Sequence, residues 1–116
     1  MTVAGKLSNV DIVQAQLEAY NGQDLDAYCA FYADDVVVAD LNGKITTQGI
    51  EAYRTRYTGT FAQFPQNRAD LLNRIVVGST VIDHEKVIRS PGGETFEVIA
   101  IYTLADGKIA RVDFAK

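Results

Sequence analysis

"VVVADLNGKI", Val36 to Ile45, is the stretch on which the reading of this chain turns. Three valines and an alanine in succession have the composition of a strand bound for a core, because β-branched side chains pack well on a pleated surface. Asn42-Gly43 then marks a hairpin, since a type I′ turn needs two positive φ angles and this pair tolerates them. "KITTQ" (44–48) reads as a short return strand. Gly49 opens a helix over "IEAYRTRYTGTFAQF", which Pro65 ends.

Toward the N-terminus, Ser8 followed by Asp11 has the form of a capping box. Val10, Val13, Leu17 and Tyr20 recur at helical spacing until Asn21-Gly22, which predicts a helix over 9–21. Asp24 is the expected N-cap of a second helix through Tyr32, with Leu25, Tyr28 and Phe31 or Tyr32 inward. Asp34 and Asp35 read as turn and capping residues. Toward the C-terminus the period becomes that of strands, over 69–77, 81–89, 94–104 and 108–115, separated by "GS", "SPGG" and "ADG". Helices followed by hairpin-linked strands predict one α+β domain over 1–116, its helices covering one face of an antiparallel sheet. In "FEVIAIYTL", Phe96, Val98, Ala100, Tyr102 and Leu104 make one row, and Ile99 and Ile101 the other. The second apolar row needs a cover, so a homodimer through the outer sheet face is expected.

The bulk composition narrows the function classes. A chain of 116 residues that is 47% hydrophobic and 22% charged suits one ordinary globular core. Its net charge of −4 and dispersed bases argue against a nucleic-acid partner. "MTVAGKLSNVD" has no apolar core for a leader, and no run approaches a spanning helix, so no membrane association is expected. One cysteine, Cys29, cannot form an internal disulfide and points to a reducing, cytoplasmic setting; within "AYCAFYA" it reads as an inert core thiol. No cofactor is expected, because "SPGGE" is a hairpin and not a phosphate-cradling loop. No metal is expected either: with one histidine, and "DHE" pointing alternately to opposite faces, no ligand cluster forms.

The order helix, helix, short hairpin, helix, long sheet, with "NGQDLDAYCAFYADDVVVAD", "GIEAYRTRYTGTF" and "EVIAIYTLADGKIARVDF", resembles the NTF2-like superfamily and, within it, the SnoaL-like and ketosteroid-isomerase-like proteins. That resemblance spans roughly Val10 to Phe114. It implies a cone in which three N-terminal helices pack on a curved sheet around a pocket for a small hydrophobic or partly polar organic molecule. Activities across such proteins are diverse, so the fold alone does not name one. Asp40 falls where ketosteroid isomerases carry their general base. The positions matching their oxyanion donors are Gln16, which can donate one hydrogen bond, and Ala100, which can donate none. Losing such a donor costs about 10² to 10³ in rate, so isomerisation by the familiar route is not expected.

By strand alternation Asp40 shares a face with Val36 and Val38; on an apolar wall its carboxyl would be a better base near neutrality. The alternative is a solvated hairpin residue capping the turn. His84 either faces the cavity with Ile82 and Ile88 and assists Asp40, or lies on the outer face bonded to Glu97. The ligand-binding set expected with this catalytic pair is Gln16, Tyr32, Tyr57, Val38, Ala100 and Tyr102. Arg54 and Arg56 read as a solvated helix face, with Glu51 partnering Arg54. The leading expectation is proton-transfer chemistry on a small molecule, and the rival is a non-catalytic ligand-binding or dimerisation domain of the same fold.

Overall fold

Ser8 caps the first helix as its spacing to Asp11 predicts, its Oγ accepting from the Asp11 backbone N–H at 3.1 Å while the Asp11 carboxylate accepts from the Ser8 N–H. The structure is a computed structural model describing residues 7–116; the leader reading rests partly on residues 1–6, which lie outside that range. Helix α1 (Asn9–Asn21) buries Ile12, Val13, Gln16 and Leu17, one helical stripe. Helix α2 (Leu25–Ala30) is capped by Asp24, whose Oδ1 accepts from the Ala27 N–H. It stops short of Tyr32 because that residue already pairs with Ile109, whose N–H donates to the Phe31 carbonyl at 2.9 Å. Strand β1 (Tyr32–Asp40) therefore runs through Asp34 and Asp35, which are exposed strand residues and not turn or cap.

Strand β2 (Ile45–Gln48) returns antiparallel to β1, but through a longer loop than a type I′ turn. Only Asn42 has positive φ; the Gly43 N–H donates to the Asp40 carbonyl, and the Asp40 N–H to the Lys44 carbonyl. Gly49 at φ 89° then starts helix α3 (Ile50–Gln63), in backbone space that side chains rarely enter. Strands β3 (Arg68–Val77), β4 (Thr80–Ile88), β5 (Thr95–Ala105) and β6 (Lys108–Ala115) follow as successive antiparallel hairpins.

The six strands form one curved sheet in the order β2-β1-β6-β5-β4-β3. Its β1 and β6 are parallel neighbours, so the sheet is mixed where an antiparallel one was expected. Parallel neighbours need a long crossover, and here α3 with the β3–β5 meander supplies it. Helix α1 lies against β3, β4 and β6, α3 against β1 and β2, and α2 touches both other helices and β1. Between these layers sits a core rich in tyrosine, with Tyr28, Tyr32, Tyr53 and Tyr57 in mutual ring contact, and Cys29 is buried in it.

One buried ion pair ties helix to sheet. Arg74 on β3 grips Asp83 on β4 through Nε to Oδ1 at 2.6 Å and Nη2 to Oδ2 at 2.9 Å, and its Nη1 donates to Gln14 Oε1 on α1. Asp83 has no exposed surface. Removing one partner of such a pair strands the other charge. Asp83→Asn is thus expected to lower unfolding free energy by about 3 kcal/mol in urea titrations, and replacing both residues with apolar ones to recover most of that loss.

Candidate functional site

Strand β4 turns Val81, Asp83, Glu85 and Val87 inward. Two carboxylates thus occupy successive inward positions, and Arg74 engages only the first. Glu85 is 6% exposed, and its Oε2 is buried with no hydrogen-bond partner among the described residues. Burial foremost, then the neighbouring Asp83 charge, push the Glu85 carboxyl up to about 7, with Arg74 pulling the other way. Near neutrality it is therefore divided between its acid and base forms.

Glu85 opens on a cavity of about 110 Å³ between the helices and the sheet. Gln16 and Tyr20 of α1, Tyr57 of α3 and Tyr102 of β5 line it, with Arg56 and Arg89 at its half-buried margin. A run of hydroxyls stiffens its wall. Tyr53 and Tyr28 share a hydrogen bond of 2.5 Å, the Tyr32 hydroxyl donates to Gln16 Oε1 at 2.7 Å, and Gln16 Nε2 donates to the Tyr102 oxygen at 3.1 Å. Burial raises the pKa of Tyr28, Tyr32, Tyr53 and Tyr102, so these hydroxyls stay protonated.

Tyr20 is placed differently. Arg89 Nη1 donates to Asn67 Oδ1 at 3.0 Å, and Asn67 Nδ2 donates to the Tyr20 oxygen at 2.5 Å. Tyr20 accepts in that relay, which leaves its own proton free to donate into the cavity. The Tyr57 hydroxyl has no hydrogen-bond partner at all among the described residues, so its proton too is free. One base and two hydroxyl donors thus line the same small space.

Of the residues expected from sequence, Gln16, Tyr57 and Tyr102 line this cavity, whereas Tyr32, Val38 and Ala100 do not. Tyr32 stands behind the wall, its ring tilted against that of Tyr53 at 4.4 Å between centroids, and Val38 and Ala100 have no exposed surface. Asp40 is exposed, so its carboxyl does not sit on the apolar wall expected for it. Strand β1 keeps regular register with β6 from Val37 through Asp40, and the shift against β2 leaves Thr46 as the extra residue; Asp40, the last residue of β1, stands at the end of the strand beside Thr46, Thr47 and Arg56 in a shallow depression. His84 lies on the outer face, its Nε2 2.6 Å from Glu97 Oε1 and its Nδ1 3.3 Å from Asn73 Nδ2, so the fold does not bring it to Asp40. Arg54 pairs with Asp26 at 2.7 Å, not with Glu51, because α2 passes beside α3. Arg56, read as solvated, lines the cavity.

Glu85 and Arg89 are absent from the site expected from sequence, and Tyr20 is expected only as a helix-face residue. A signal for Glu85 existed: once His84 and Lys86 face outward, Asp83 and Glu85 must face inward. Among the described residues no group of His, Cys, Asp and Glu is arranged to hold a metal ion, and no helix is long and apolar enough to cross a membrane.

A carboxyl whose pKa is raised on folding weakens the fold once ionised. The penalty is absent below the unfolded value near 4.5 and complete above about 7. Glu85→Gln is therefore expected to gain stability relative to the parent as pH rises between those values, by roughly 3 kcal/mol at most, in urea titrations at a series of pH values. A constant difference across that range would show that Glu85 is not desolvated.

Comparison with known proteins agrees with this architecture. The SnoaL-like domain family matches residues 13–112. An uncharacterised protein from Novosphingobium aromaticivorans, described as having a cystatin fold, superposes with a TM-score of 0.88 at 34% identity, over 95% of this chain and 99% of its own. A candidate polyketide cyclase from Sinorhizobium meliloti superposes with a TM-score of 0.77 at 27% identity, over 94% of this chain and 100% of its own. A protein of ketosteroid isomerase-like fold from Catenulispora acidiphila, solved with trimethylamine, shares the fold at 17% identity, with a TM-score of 0.76 over 91% of this chain and 85% of its own. No curated relative matches. With nearly its whole length matched and its helices and curved sheet in NTF2-like order, the chain belongs to the SnoaL-like domain family.

Proposed function

We propose that the cavity binds a small carbonyl compound and that Glu85 removes a proton from the carbon beside the carbonyl. The observation that carries this reading is the unpartnered, desolvated Glu85 carboxyl facing a cavity that Tyr20 and Tyr57 also line. In the step, the C–H bond breaks, its proton passes to Glu85, and its electron pair moves toward the carbonyl oxygen. The two tyrosine hydroxyls are the donors available to the resulting enolate. Returning the proton to another carbon isomerises the substrate; attack of the enolate on a second carbonyl in the same molecule closes a ring. Ring closure is also what the description of the Sinorhizobium meliloti neighbour as a candidate polyketide cyclase names.

Asp40 is the competing base, since it occupies the position of the ketosteroid isomerase base. Glu85 is favoured because it is buried against the cavity and Asp40 is exposed beside a shallow one. The cavity's small volume supports the rival, a non-catalytic binding domain. In either reading a homodimer covers the outer sheet face, where Ile75, Ile82 and Ile101 stand in cross-strand register beside Ile99. Ile75 is 60% exposed and Ile99 39%, which leaves apolar surface for an isologous partner.

Deuterium uptake at the α-carbon of acetophenone and indanone, followed by proton NMR, tests the chemistry without a known substrate. The exchange rate is expected to rise with pH through about 7, to fall at least about 10²-fold in Glu85→Gln and to persist in Asp40→Asn. The reverse pattern would make Asp40 the base, and no exchange above buffer would favour the binding-domain reading. Sedimentation should show a dimer that Ile75→Glu or Ile99→Glu converts to monomer; an unchanged mass would remove this face from the interface.

A further inference from the structure

Four of the six arginines are paired with aspartates: Arg54 with Asp26, Arg68 with Asp70, Arg74 with Asp83 and Arg111 with Asp113. The two with no carboxylate partner among the described residues, Arg56 and Arg89, are the two at the margin of the Glu85 cavity. Both are held in place by other means. Arg89 lies over the rings of Phe64 at 4.6 Å and Phe96 at 5.0 Å and donates to Asn67. Arg56 lies over Tyr57 at 5.4 Å and Phe114 at 5.9 Å and donates to Thr47 Oγ1 at 3.1 Å. Ring stacking fixes a guanidinium without neutralising it, and each retains N–H donors beyond those bonds. In a chain of net charge −4, two guanidiniums fixed at one opening without an ion-pair partner, with Lys116 also on the lining and Asp40 in the depression that adjoins Arg56, concentrate positive charge there.

We infer that the cavity takes an organic anion, a carboxylate-bearing molecule whose charged end rests against Arg56 and Arg89 while its uncharged end faces Glu85. This inference rests on the small-molecule reading of the cavity and adds the class of molecule. Size agrees with it. An engineered cavity of about 150 Å³ holds a benzene ring, so the space of about 110 Å³ admits roughly one ring or less. Anything larger must extend to the opening, where the arginines stand. Charge sets the orientation, because Glu85 repels an anion from the interior while the guanidiniums attract it at the margin. An arginine presents paired N–H groups to the two oxygens of a carboxylate, a geometry a neutral amide does not match.

The test compares cinnamate with cinnamamide, which share a shape and differ in charge, by NMR titration of the intact protein. Cinnamate is expected to bind on the order of tenfold more tightly than cinnamamide, both shifting the Tyr20 and Tyr57 signals, with the preference shrinking as salt is added. Arg56→Gln with Arg89→Gln should bring the ratio of the two affinities close to one, whereas Arg56→Lys with Arg89→Lys should keep part of it. A ratio near one in the parent protein would overturn the anion and leave the small-molecule reading standing. An undiminished preference in the double glutamine variant would overturn the assignment to these arginines. Failure of both ligands to shift the cavity signals would overturn the small-molecule reading and the anion with it.

Discussion

Two carboxylates occupy successive inward positions on β4, and a single arginine reaches them. Arg74 spends its Nε and Nη2 on Asp83 and its Nη1 on Gln14, so nothing cationic remains for Glu85. An isolated buried carboxylate is costly unless it is protonated or finds another partner. The cavity is the structural answer to that cost. Packing the space beside Glu85 with apolar side chains would leave its Oε2 permanently unsatisfied, and the open volume instead leaves room for a water or ligand atom. The same arithmetic that stabilises the junction of α1 with the sheet leaves a reactive group beside it.

Tyrosine makes the surrounding wall possible. Its ring contributes the apolar area of a core residue, and its hydroxyl must find a partner once buried. Here Tyr28, Tyr53, Tyr32 and Tyr102 satisfy one another directly or through Gln16, which fixes their rings. Tyr20 and Tyr57 differ because each keeps a proton uncommitted. The wall thus divides into hydroxyls occupied with structure and hydroxyls free for a guest, and the division follows from which side chains lie beyond hydrogen-bond reach of a neighbour.

The order and type of the elements were legible because the signals are local. The Ser8 and Asp24 caps, the Gly49 start and the alternation of the last four strands each act within a few residues. Pairing of β1 with β6 was not legible, since it depends on residues that meet only after the rest of the sheet has formed. Nor was the exposure of Asp40, which depends on how far the covering layer reaches along β1 and not on the alternation of the strand itself. Glu85 illustrates a different obstacle. Its facing follows from that of His84 and Lys86, but that it stays without a charge partner depends on where Arg74 comes to rest, which no local pattern reveals. Arg56 sat on a helix face that looked solvated because nothing in its spacing reveals that the sheet curls past it.

The parallel contact between β1 and β6 joins strands separated by most of the chain. During synthesis the helices, the first hairpin and the β3–β5 meander all emerge before the strand that unites them. Until it arrives, β1 has β2 on one edge and unpaired backbone on the other. The last strand is therefore the clasp of the molecule, and its arrival closes the loop of longest reach, which is the slowest kind of contact to find. Chaperone dependence and co-translational aggregation in this protein should accordingly concentrate in the interval before residues 108–115 leave the ribosome.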